Sequence, residues 1–505
     1  MTGIMENVTT IAPETTPREK RRAVIDIGSN SVRLVVYDGP ARAPIPICNE
    51  KSLCGLGRDM TPEGGLNPSA VEDALATLAR FRHVLDDLGN PPVRAIATSA
   101  VREAHDGPQF VEAARALGFD VDVVTGKEEG ELAALGVLSV EPGATGLVGD
   151  MGGGSLELAV LNKGSLKDRG SLPIGPLSLM HDVGADFKQA QKIIDKHLAG
   201  AKFIKSGAFD TLYSVGGAWR AVARIHMSIR GYPLQVLQHY EMTAAQTIEV
   251  CNLIARQSRQ SLEEIEGIPR RRLDTLPYAS TVLKTVIQRY GIKHVIISSG
   301  GVREGLLYQK LSKAIRKQDP FHVACRFYAD RLSPDPAFGA AAYQVIEPLF
   351  VESNGAHQRL RYGASLLCDI GAYFHPEMRG RHAFDTALRS PFVGVTHKER
   401  LWTALALFHR HQGRSSTPPN EEAMSLLSDE ERTSATQYGL ALRFISALAP
   451  KSATSLEGCT LEKRDDEIIF RAPNDRKALM GETPRRRFVS LASAFEANAG
   501  EIYDD

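Results

Sequence analysis

The sequence lacks three patterns that would restrict its location or its partner. No uninterrupted apolar run reaches the roughly 18 residues that a membrane-spanning helix needs, so we expect no membrane partner. The 6 cysteines are scattered without the CxxC spacing of a zinc ribbon and suggest no disulfide framework, which favours a reducing cytoplasm. Neither positive nor negative charge dominates, because 60 basic residues balance 60 acidic ones. Specific nucleic-acid binding is therefore not expected.

At 505 residues the chain is too long for one hydrophobic core and predicts about three domains of ordinary size. The polar residues 1–20 contain no apolar segment of signal-peptide length and are interpreted as a disordered tail. Alternating strand and helix patterns predict one α/β domain over residues 21–140 and a second over residues 141–314. Residues 315–455 are typical of an all-α domain, and residues 456–505 are interpreted as a small C-terminal module.

One motif occurs twice, each time as an apolar strand, an aspartate, a turn rich in glycine and serine, and a second apolar strand. The first copy covers residues 24–34 and the second covers residues 148–158. The pattern is typical of a β-hairpin whose turn approaches a ligand closely. In the alignment of the two copies, Asp26 matches Asp150, Gly28 matches Gly152, Ser31 matches Ser155, and Arg33 stands opposite Glu157.

The repeated turn has the chemistry of a phosphate site. Glycine lacks a side chain and adopts positive φ readily, so successive backbone N–H groups can surround an anion. An aspartate beside a phosphate would instead hold Mg²⁺, which makes Asp26 and Asp150 candidate metal ligands. A tight hairpin turn alone also explains either copy, but two matched copies favour a two-sided phosphate clamp.

The candidate phosphate ligands in the two turns are Gly28, Ser29, Asn30, Ser31, Gly152, Gly153, Gly154 and Ser155. Gly216 and Gly217 follow a later strand, where glycine marks a close backbone approach, and they are added to this set. Tight packing is an equally good explanation for that pair, and for the later pair Gly300 and Gly301. Ser31 and Arg33 are also explained by support of the first turn.

Six motifs occur in a fixed order along the chain, at residues 26–31, 97–104, 125–129, 150–157, 214–217 and 298–305. This set resembles the exopolyphosphatase and guanosine pentaphosphate phosphohydrolase (Ppx/GppA) family, in its long form with a C-terminal HD-like helical domain. The resemblance covers most of the chain. It implies two duplicated actin-like domains of the ribonuclease H-like, sugar kinase and Hsp70 superfamily, facing each other across a cleft.

The resemblance also implies roles for the site residues. Glu129 corresponds to the catalytic base, which deprotonates or orients water for in-line attack on a terminal phosphoryl group. Glu157 would position that water or hold Mg²⁺ together with Asp150, and Arg102 would bind a phosphate oxygen. Mg²⁺ is the implied cofactor, with K⁺ as a second candidate. Without the resemblance, a favourable charge at a helix N-terminus would be the simpler interpretation of Glu129.

The helical region departs from the family pattern at one point. Cys368 and Asp369 stand where an HD domain carries His-Asp, and His382, His409 and His411 resemble other parts of that motif. Because the leading histidine is replaced, we expect a vestigial domain that binds polyanion or builds a homodimer rather than a second metal centre.

The resemblance favours an exopolyphosphatase that removes terminal phosphate from inorganic polyphosphate processively. The alternative is a guanosine pentaphosphate (pppGpp) phosphohydrolase of the stringent response, which makes the same cut on a nucleotide, and the sequence separates the two poorly. An ATP-dependent kinase or a nucleotide switch of the actin-like superfamily is a more distant alternative. A polymer would need a basic path beyond the clamp, and the candidate basic runs are residues 270–272, 379–381 and 485–487.

Overall fold

The computed structural model describes residues 21–57, 61, 64–204, 209–257, 259–264, 272–350 and 357–504. The predicted tail over residues 1–20 lies outside these residues, and so do Arg270 and Arg271 of one basic run. No helix in the described part of the chain is both long and apolar enough to cross a bilayer.

The first α/β half is a five-stranded sheet with helices packed against it. Its strands are β1 (Arg22–Ile27), β2 (Val32–Asp38), β3 (Ile45–Ser52), β4 (Val93–Ala97) and β5 (Val121–Val123). Its helices are α1 (Pro68–Asp87), α2 (Ser99–Glu103), α3 (Gly107–Ala116) and α4 (Gly126–Val140). The strand order is β3-β2-β1-β4-β5, in which β1, β4 and β5 run parallel and the other pairs are antiparallel.

The second α/β half has a six-stranded sheet. Its strands are β6 (Gly146–Met151), β7 (Leu156–Asn162), β8 (Ser165–Leu172), β9 (Thr211–Val215), β10 (Glu241–Thr243) and β11 (His294–Ile297). Its helices are α5 (Pro176–Val183), α6 (Phe187–Gly200), α7 (Gly217–Ile229), α8 (Ala244–Arg256), α9 (Arg259–Glu263), α10 (Leu276–Tyr290) and α11 (Val302–Gln309). The strand order is β10-β11-β9-β6-β7-β8.

The two sheets repeat one topology. Read from β8, the order β8-β7-β6-β9-β11 reproduces β3-β2-β1-β4-β5, with β10 added at the edge of the second sheet. In both halves a hairpin begins the sheet and a parallel strand then pairs with the first strand of that hairpin. The duplication that the repeated motif predicts is therefore confirmed, and each sheet places one glycine-rich turn at the same position.

Two helices join the halves. Helix α4 follows the first sheet, yet Ala134, Val137 and Leu138 pack into a core with strands of the second sheet. Helix α11 follows the second sheet, and its Leu306 packs into a core with strands of the first. Helices α4 and α11 also contact each other, at a crossing so close that a Cβ on Gly305 would lie 1.9 Å from the Leu132 carbonyl oxygen. Each sheet is thus covered partly by a helix that follows the other sheet.

The rest of the chain is mainly helical. Its helices are α12 (Lys313–Arg316), α13 (Pro320–Leu332), α14 (Phe338–Ile346), α15 (Gln358–Leu366), α16 (Arg379–Arg389), α17 (His397–Gln412), α18 (Glu421–Met424), α19 (Asp429–Leu448) and α20 (Glu482–Ala494). Short 3₁₀ helices cover Glu347–Phe350, Pro376–Met378, Thr454–Leu456 and Asn474–Leu479. Strands β12 (Thr460–Arg464), β13 (Glu467–Pro473) and β14 (Asn498–Asp504) form a small sheet near the end. One hydrophobic cluster contains buried residues of the helices and of this sheet, and it reaches Leu234 of the second α/β half.

Candidate active site

The two glycine-rich turns are equivalent in detail. The amide of Gly28 donates to the Ser31 carbonyl over 3.0 Å, and the amide of Gly152 donates to the Ser155 carbonyl over 3.0 Å. In the strand register, Asp26 pairs with Arg33 and Asp150 pairs with Glu157, as the alignment of the two copies predicts.

The turn glycines do not use the left-handed backbone conformation that the sequence suggested. Neither Gly28 nor the glycines at 152–154 have a positive φ, so that expectation was wrong. A left-handed backbone occurs instead at Gly216, where φ is +95° and a Cβ would lie 2.4 Å from the Met151 carbonyl oxygen. Glycine is therefore required at Gly216 both for its conformation and for its close approach to the second hairpin.

Carbonyl groups of the two turns accept hydrogen bonds from neighbouring segments. The Ser29 carbonyl accepts from the Gly57 amide at 2.7 Å, and the Gly153 carbonyl accepts from the Leu177 amide at 2.9 Å. Because these carbonyls are bonded to neighbouring segments, the two turns are fixed in place.

A cavity of about 220 Å³ lies between the two turns. It is lined by most of the predicted site residues, namely Asp26, Gly28, Ser29, Asn30, Ser31, Glu129, Asp150, Gly152, Gly153, Ser155, Gly216 and Gly217. Three other predicted residues, Arg102, Gly154 and Glu157, are not part of this lining. The fold thus brings both turns and the predicted base to one cavity.

Glu129 occupies the first turn of α4, where the sequence fixes the start of the helix. The Thr125 side chain accepts from the Glu128 amide, and the Glu128 carboxylate accepts from the Thr125 amide, which is a capping box. Glu128 is thereby turned to the helix end, whereas Glu129 faces the cavity and is 8% exposed. Burial, together with the carboxylates of Glu157 and Asp150, raises the pKa of Glu129 well above its ordinary value.

Arg102 lies beside Glu129 rather than in the cavity lining. Its guanidinium donates to the Val124 carbonyl at 2.8 Å and lies 3.8 Å from the Glu129 carboxylate. Its side chain is 24% exposed. In the observed arrangement it supplies the positive charge next to the predicted base.

The second hairpin carries a buried carboxylate at Glu157 and a partly buried one at Asp150. Glu157 is 1% exposed, and its Oε1 accepts a hydrogen bond of 2.7 Å from the Ser171 hydroxyl. Burial raises the pKa of Glu157 to about 7 and the pKa of Asp150 to about 6. Both groups are therefore poised to gain from a cation that would offset their charge.

The first hairpin differs, because an arginine already faces its aspartate. The Arg303 guanidinium of α11 lies 3.4 Å from the Asp26 carboxylate. The neighbouring Glu304 accepts hydrogen bonds from the Tyr37 hydroxyl at 2.7 Å and the Gly301 amide at 2.9 Å. Asp26 thus belongs to an ion-pair network that links the two halves.

The carboxylates suit a magnesium ion that also binds substrate. Mg²⁺ is usually held by one or two carboxylates, with phosphate oxygens and water completing its ligands. The Oε2 atoms of Glu129 and Glu157 are buried without a hydrogen-bond partner. Among the described residues, no three His, Cys, Asp or Glu side chains form a metal-binding group by themselves. The donor set therefore fits Mg²⁺ with phosphate oxygens among the ligands and not as an all-protein metal site.

Comparison with known proteins now identifies the family. The sequence pattern of the Ppx/GppA phosphatase family matches residues 35–314, which is more than half of the chain. The chain belongs to the Ppx/GppA phosphatase family. The pattern of the exopolyphosphatase C-terminal region matches residues 342–499 as well. The second turn and Glu129 lie within the first matched segment, and most of the helical part lies within the second, whereas the first turn precedes residue 35.

Two relatives of this Ppx/GppA protein show how broad the family is. Retrograde regulation protein 2 of Saccharomyces cerevisiae is 27% identical over 443 residues, which is 80% of this chain and 74% of the relative. Guanosine-5'-triphosphate,3'-diphosphate pyrophosphatase of Aeromonas hydrophila is 23% identical over 400 residues, 77% of this chain and 80% of the relative. The two names denote a regulator and a hydrolase.

Two solved structures share the fold of part of this chain. The Ppx/GppA family member of Aquifex aeolicus is 24% identical, with a TM-score of 0.51, and the match covers 58% of this chain and 97% of that one. An exopolyphosphatase from Cytophaga hutchinsonii is 25% identical, with a TM-score of 0.53, over 57% of this chain and 97% of that one. Since these matches cover little more than half of this chain, the fold comparison leaves much of it unmatched.

Two cationic residues of this Ppx/GppA site were missed from the sequence. Arg220 and Arg303 both line the cavity, each in the first turn of a helix that follows a glycine pair. The Arg220 guanidinium donates to the Ser298 carbonyl at 2.9 Å and the Ser299 carbonyl at 3.1 Å. A basic residue within three positions of a glycine pair was the available signal, and it was not used.

Arg272 of the basic run at residues 270–272 also reaches the cavity. It is part of the cavity lining, and a Cβ on Gly217 would lie 2.2 Å from its guanidinium. Gly217 therefore leaves room for the Arg272 guanidinium. Arg33 and Lys51 are also in the lining, so the cavity wall carries several positive charges.

In the helical part, Asp369 is held by cations. Its carboxylate lies 2.5 Å from the Arg410 guanidinium and also contacts the Lys451 ammonium. Burial alone would raise the pKa of Asp369, but these two cations outweigh it and lower the pKa. Burial, with Arg410 and Lys451 close by, lowers the pKa of His411 to about 2. Two protein cations thus stand where a metal would have to bind Asp369.

Proposed function

We propose that this Ppx/GppA phosphatase is an exopolyphosphatase that hydrolyses the terminal phosphate of inorganic polyphosphate. The observation that carries the proposal is the position of Glu129. Its carboxylate lies in a cavity between two glycine-rich turns, and its Oε2 is buried without a hydrogen-bond partner. A buried carboxylate with a raised pKa is a stronger base than an exposed one, which suits proton removal from water.

Each part of the site would have one task. The turn amides and the hydroxyls of Ser29 and Ser155 would bind the oxygens of the terminal phosphoryl group. The Glu129 carboxylate would take a proton from water as the water oxygen bonds to phosphorus and the bridging oxygen leaves with the shortened chain. Arg102 would offset charge on the transferred group from its place beside Glu129. The products are orthophosphate and a polyphosphate one unit shorter.

Asp150 and Glu157 would hold Mg²⁺, with Asp26 as a further candidate that Arg303 already neutralises in part. When bound, Mg²⁺ would supply positive charge that screens the phosphate oxygens from the carboxylates. K⁺ is proposed as a second cation, bound mainly by substrate.

The preference for a polymer is supported by the cationic residues of the cavity lining. Arg33, Arg220, Arg272 and Lys51 lie in this lining, and further phosphate units would need such charge. The second candidate is a guanosine pentaphosphate phosphohydrolase, which the name of the Aeromonas hydrophila relative favours. Both reactions break the same type of bond, so the site chemistry above holds for either.

For the helical part we propose an HD-like domain that has lost its metal. Arg410 and Lys451 neutralise Asp369, so the domain would extend the polyphosphate path or build a homodimer instead of hydrolysing a second substrate. We also place the protein in the cytoplasm, where its cysteines would stay reduced.

Phosphate release tests the proposal directly. Long polyphosphate, short polyphosphate and guanosine pentaphosphate are supplied in parallel with Mg²⁺, and kcat/KM is compared for each. A preference for long polyphosphate that disappears in Glu129→Gln supports the exopolyphosphatase. A preference for the nucleotide would favour the second candidate. The absence of release from all three would contradict both and would favour a regulatory role, as in the name of the yeast relative.

A further inference from the structure

The segment between α7 and β10 contacts the helical part of the chain through a buried histidine. His397, the first residue of α17, is 6% exposed. Its Nδ1 lies 2.8 Å from the Tyr232 hydroxyl, and its Nε2 lies 3.0 Å from the Gln238 carbonyl oxygen. Burial lowers the pKa of His397 to about 4, so the ring is neutral. Since a carbonyl only accepts, Nε2 donates to Gln238 and Nδ1 accepts from Tyr232. The histidine is thus held as one neutral tautomer by two residues of this segment.

The side chain of Gln238 continues this connection into the α/β half. Gln238 is 6% exposed, and its Oε1 accepts from both the amide and the hydroxyl of Ser299, each at 2.6 Å. Its Nε2 donates to the Glu141 carboxylate at 3.1 Å. A single buried carboxamide therefore binds two segments that are far apart in sequence, with both of its polar atoms in use.

Those two segments both lead to the cavity. Glu141 is the C-terminal cap of α4, the helix whose first turn carries Glu129. Ser299 directly precedes the glycine pair Gly300 and Gly301, and Gly301 lines the cavity. Arg220, another lining residue, donates to the Ser299 carbonyl at 3.1 Å. A shift of Gln238 would therefore move the far end of the base-bearing helix and one wall of the cavity together.

The residue after Gln238 has an unfavourable backbone conformation. His239 has a φ of +60°, a conformation that few residues other than glycine adopt. Its amide donates to the Ile297 carbonyl at 2.9 Å, and its Nδ1 lies 2.6 Å from the Glu141 carboxylate. Contacts with neighbouring residues thus hold Gln238 and His239 in one conformation. Such a fixed backbone suits a residue that sets the positions of Ser299 and Glu141.

We propose that Gln238 is a positioning residue that couples the helical part of the chain to the phosphate cavity. The inference rests on the proposed phosphate hydrolysis at Glu129. Gln238 touches no reacting group. It acts by holding Ser299 and Glu141, and His397 holds it in turn.

The test compares Gln238→Leu with a matched control in the full-length protein. Gln238→Leu keeps the size of the side chain and removes both of its hydrogen-bonding atoms. We expect kcat for phosphate release from polyphosphate to fall about tenfold with KM within about twofold, since catalysis is sensitive to small displacements of the base. Gln235→Leu changes an exposed glutamine of the same segment, and its kcat should match the wild type.

His397→Phe tests the connection to the helical part. It keeps the aromatic packing but removes the donor to Gln238, and we expect a smaller fall in kcat in the same direction. Tyr232→Phe is its control, because it leaves the bond from His397 to Gln238 in place. The double variant Gln238→Leu and His397→Phe should lose no more than Gln238→Leu alone, since both changes break one connection. If the fall in kcat of the double variant equals the product of the falls in the two single variants, the two residues act independently and the proposed coupling is wrong.

Hydrogen exchange supplies a readout that does not need turnover. Gln238→Leu should speed exchange at residues 298–301 and at the C-terminal end of α4, whereas Gln235→Leu should not. Normal exchange together with normal kcat in Gln238→Leu would overturn the proposal. A variant with raised KM and unchanged kcat would overturn it as well. If Gln238→Leu does not fold, Ser299→Ala removes one of the same hydrogen bonds and should lower kcat with KM unchanged. If the wild type releases no phosphate from any substrate, the proposed function fails, while the exchange result still decides the positioning role.

Discussion

The Arg303 guanidinium lies 3.4 Å from the Asp26 carboxylate, so the aspartate of the first turn is neutralised by a residue of the second half. The matching aspartate of the second turn is in a different state, because burial raises the pKa of Asp150 to about 6. Two positions that are identical in the sequence repeat are thus unequal in their electrostatic surroundings. Asp150 is the one that would gain more from binding a cation.

This inequality predicts different effects of two matched substitutions. Asp150→Asn should raise the Mg²⁺ concentration for half-maximal phosphate release by about tenfold or more, because it removes a partly buried charge that the cation would offset. Asp26→Asn is the control and should raise it less. A Mg²⁺ titration of both variants checks the order, and equal shifts would contradict the assignment.

Replacing the proposed base should slow the chemical step. Glu129→Gln should lower kcat by about 10²-fold or more with little change in KM, the loss expected for a general base. Glu128→Gln is the matched control, since Glu128 caps α4 and does not line the cavity. It should keep near-normal turnover. Steady-state rates with polyphosphate decide between the two neighbours.

Stability should depend on pH through Glu157. Its folded pKa of about 7 lies above its ordinary value of 4.5, so the folded state binds its proton more tightly than the unfolded state. That contribution is complete below pH 4.5 and is lost as pH rises through 7. Glu157→Gln does not titrate, and in EDTA its Tm advantage over the wild type should therefore grow from pH 4.5 to pH 8, by roughly 3 °C or more. A constant difference across this range would refute the buried-charge explanation.

Asp369 should matter for stability and not for metal binding. Asp369→Ala leaves the buried Arg410 without its carboxylate, a change that typically costs about 3–5 kcal/mol of unfolding free energy. Asp385→Ala is the control, because Asp385 faces exposed Arg381 and Arg389 and should cost about 0.5 kcal/mol at most. Denaturant unfolding measures both. Bound metal in the wild-type helical part, lost in Asp369→Ala, would contradict the ion-pair explanation.

The local parts of this site could be predicted from the sequence, and the long-range parts could not. The two hairpins and the pairing of Asp150 with Glu157 follow from alternating apolar residues around a short polar turn, which is a pattern of adjacent positions. The contact between Arg303 and Asp26 joins residues 277 positions apart, and no local pattern encodes it. The same holds for Gln238, whose neighbours Glu141 and Ser299 come from opposite ends of the second half.

The exchange of helices between the two sheets affects how the chain can be made. The face of the first sheet that carries Val24, Val35 and Ile96 packs with Leu306 of α11, which leaves the ribosome only after the whole second sheet has been synthesised. Until then an apolar surface of the first sheet lacks part of its cover. The nascent protein would therefore depend on chaperones or on rapid elongation to avoid aggregation during this interval. A ribosome stalled shortly before residue 302 would hold a chain that cannot yet complete either half.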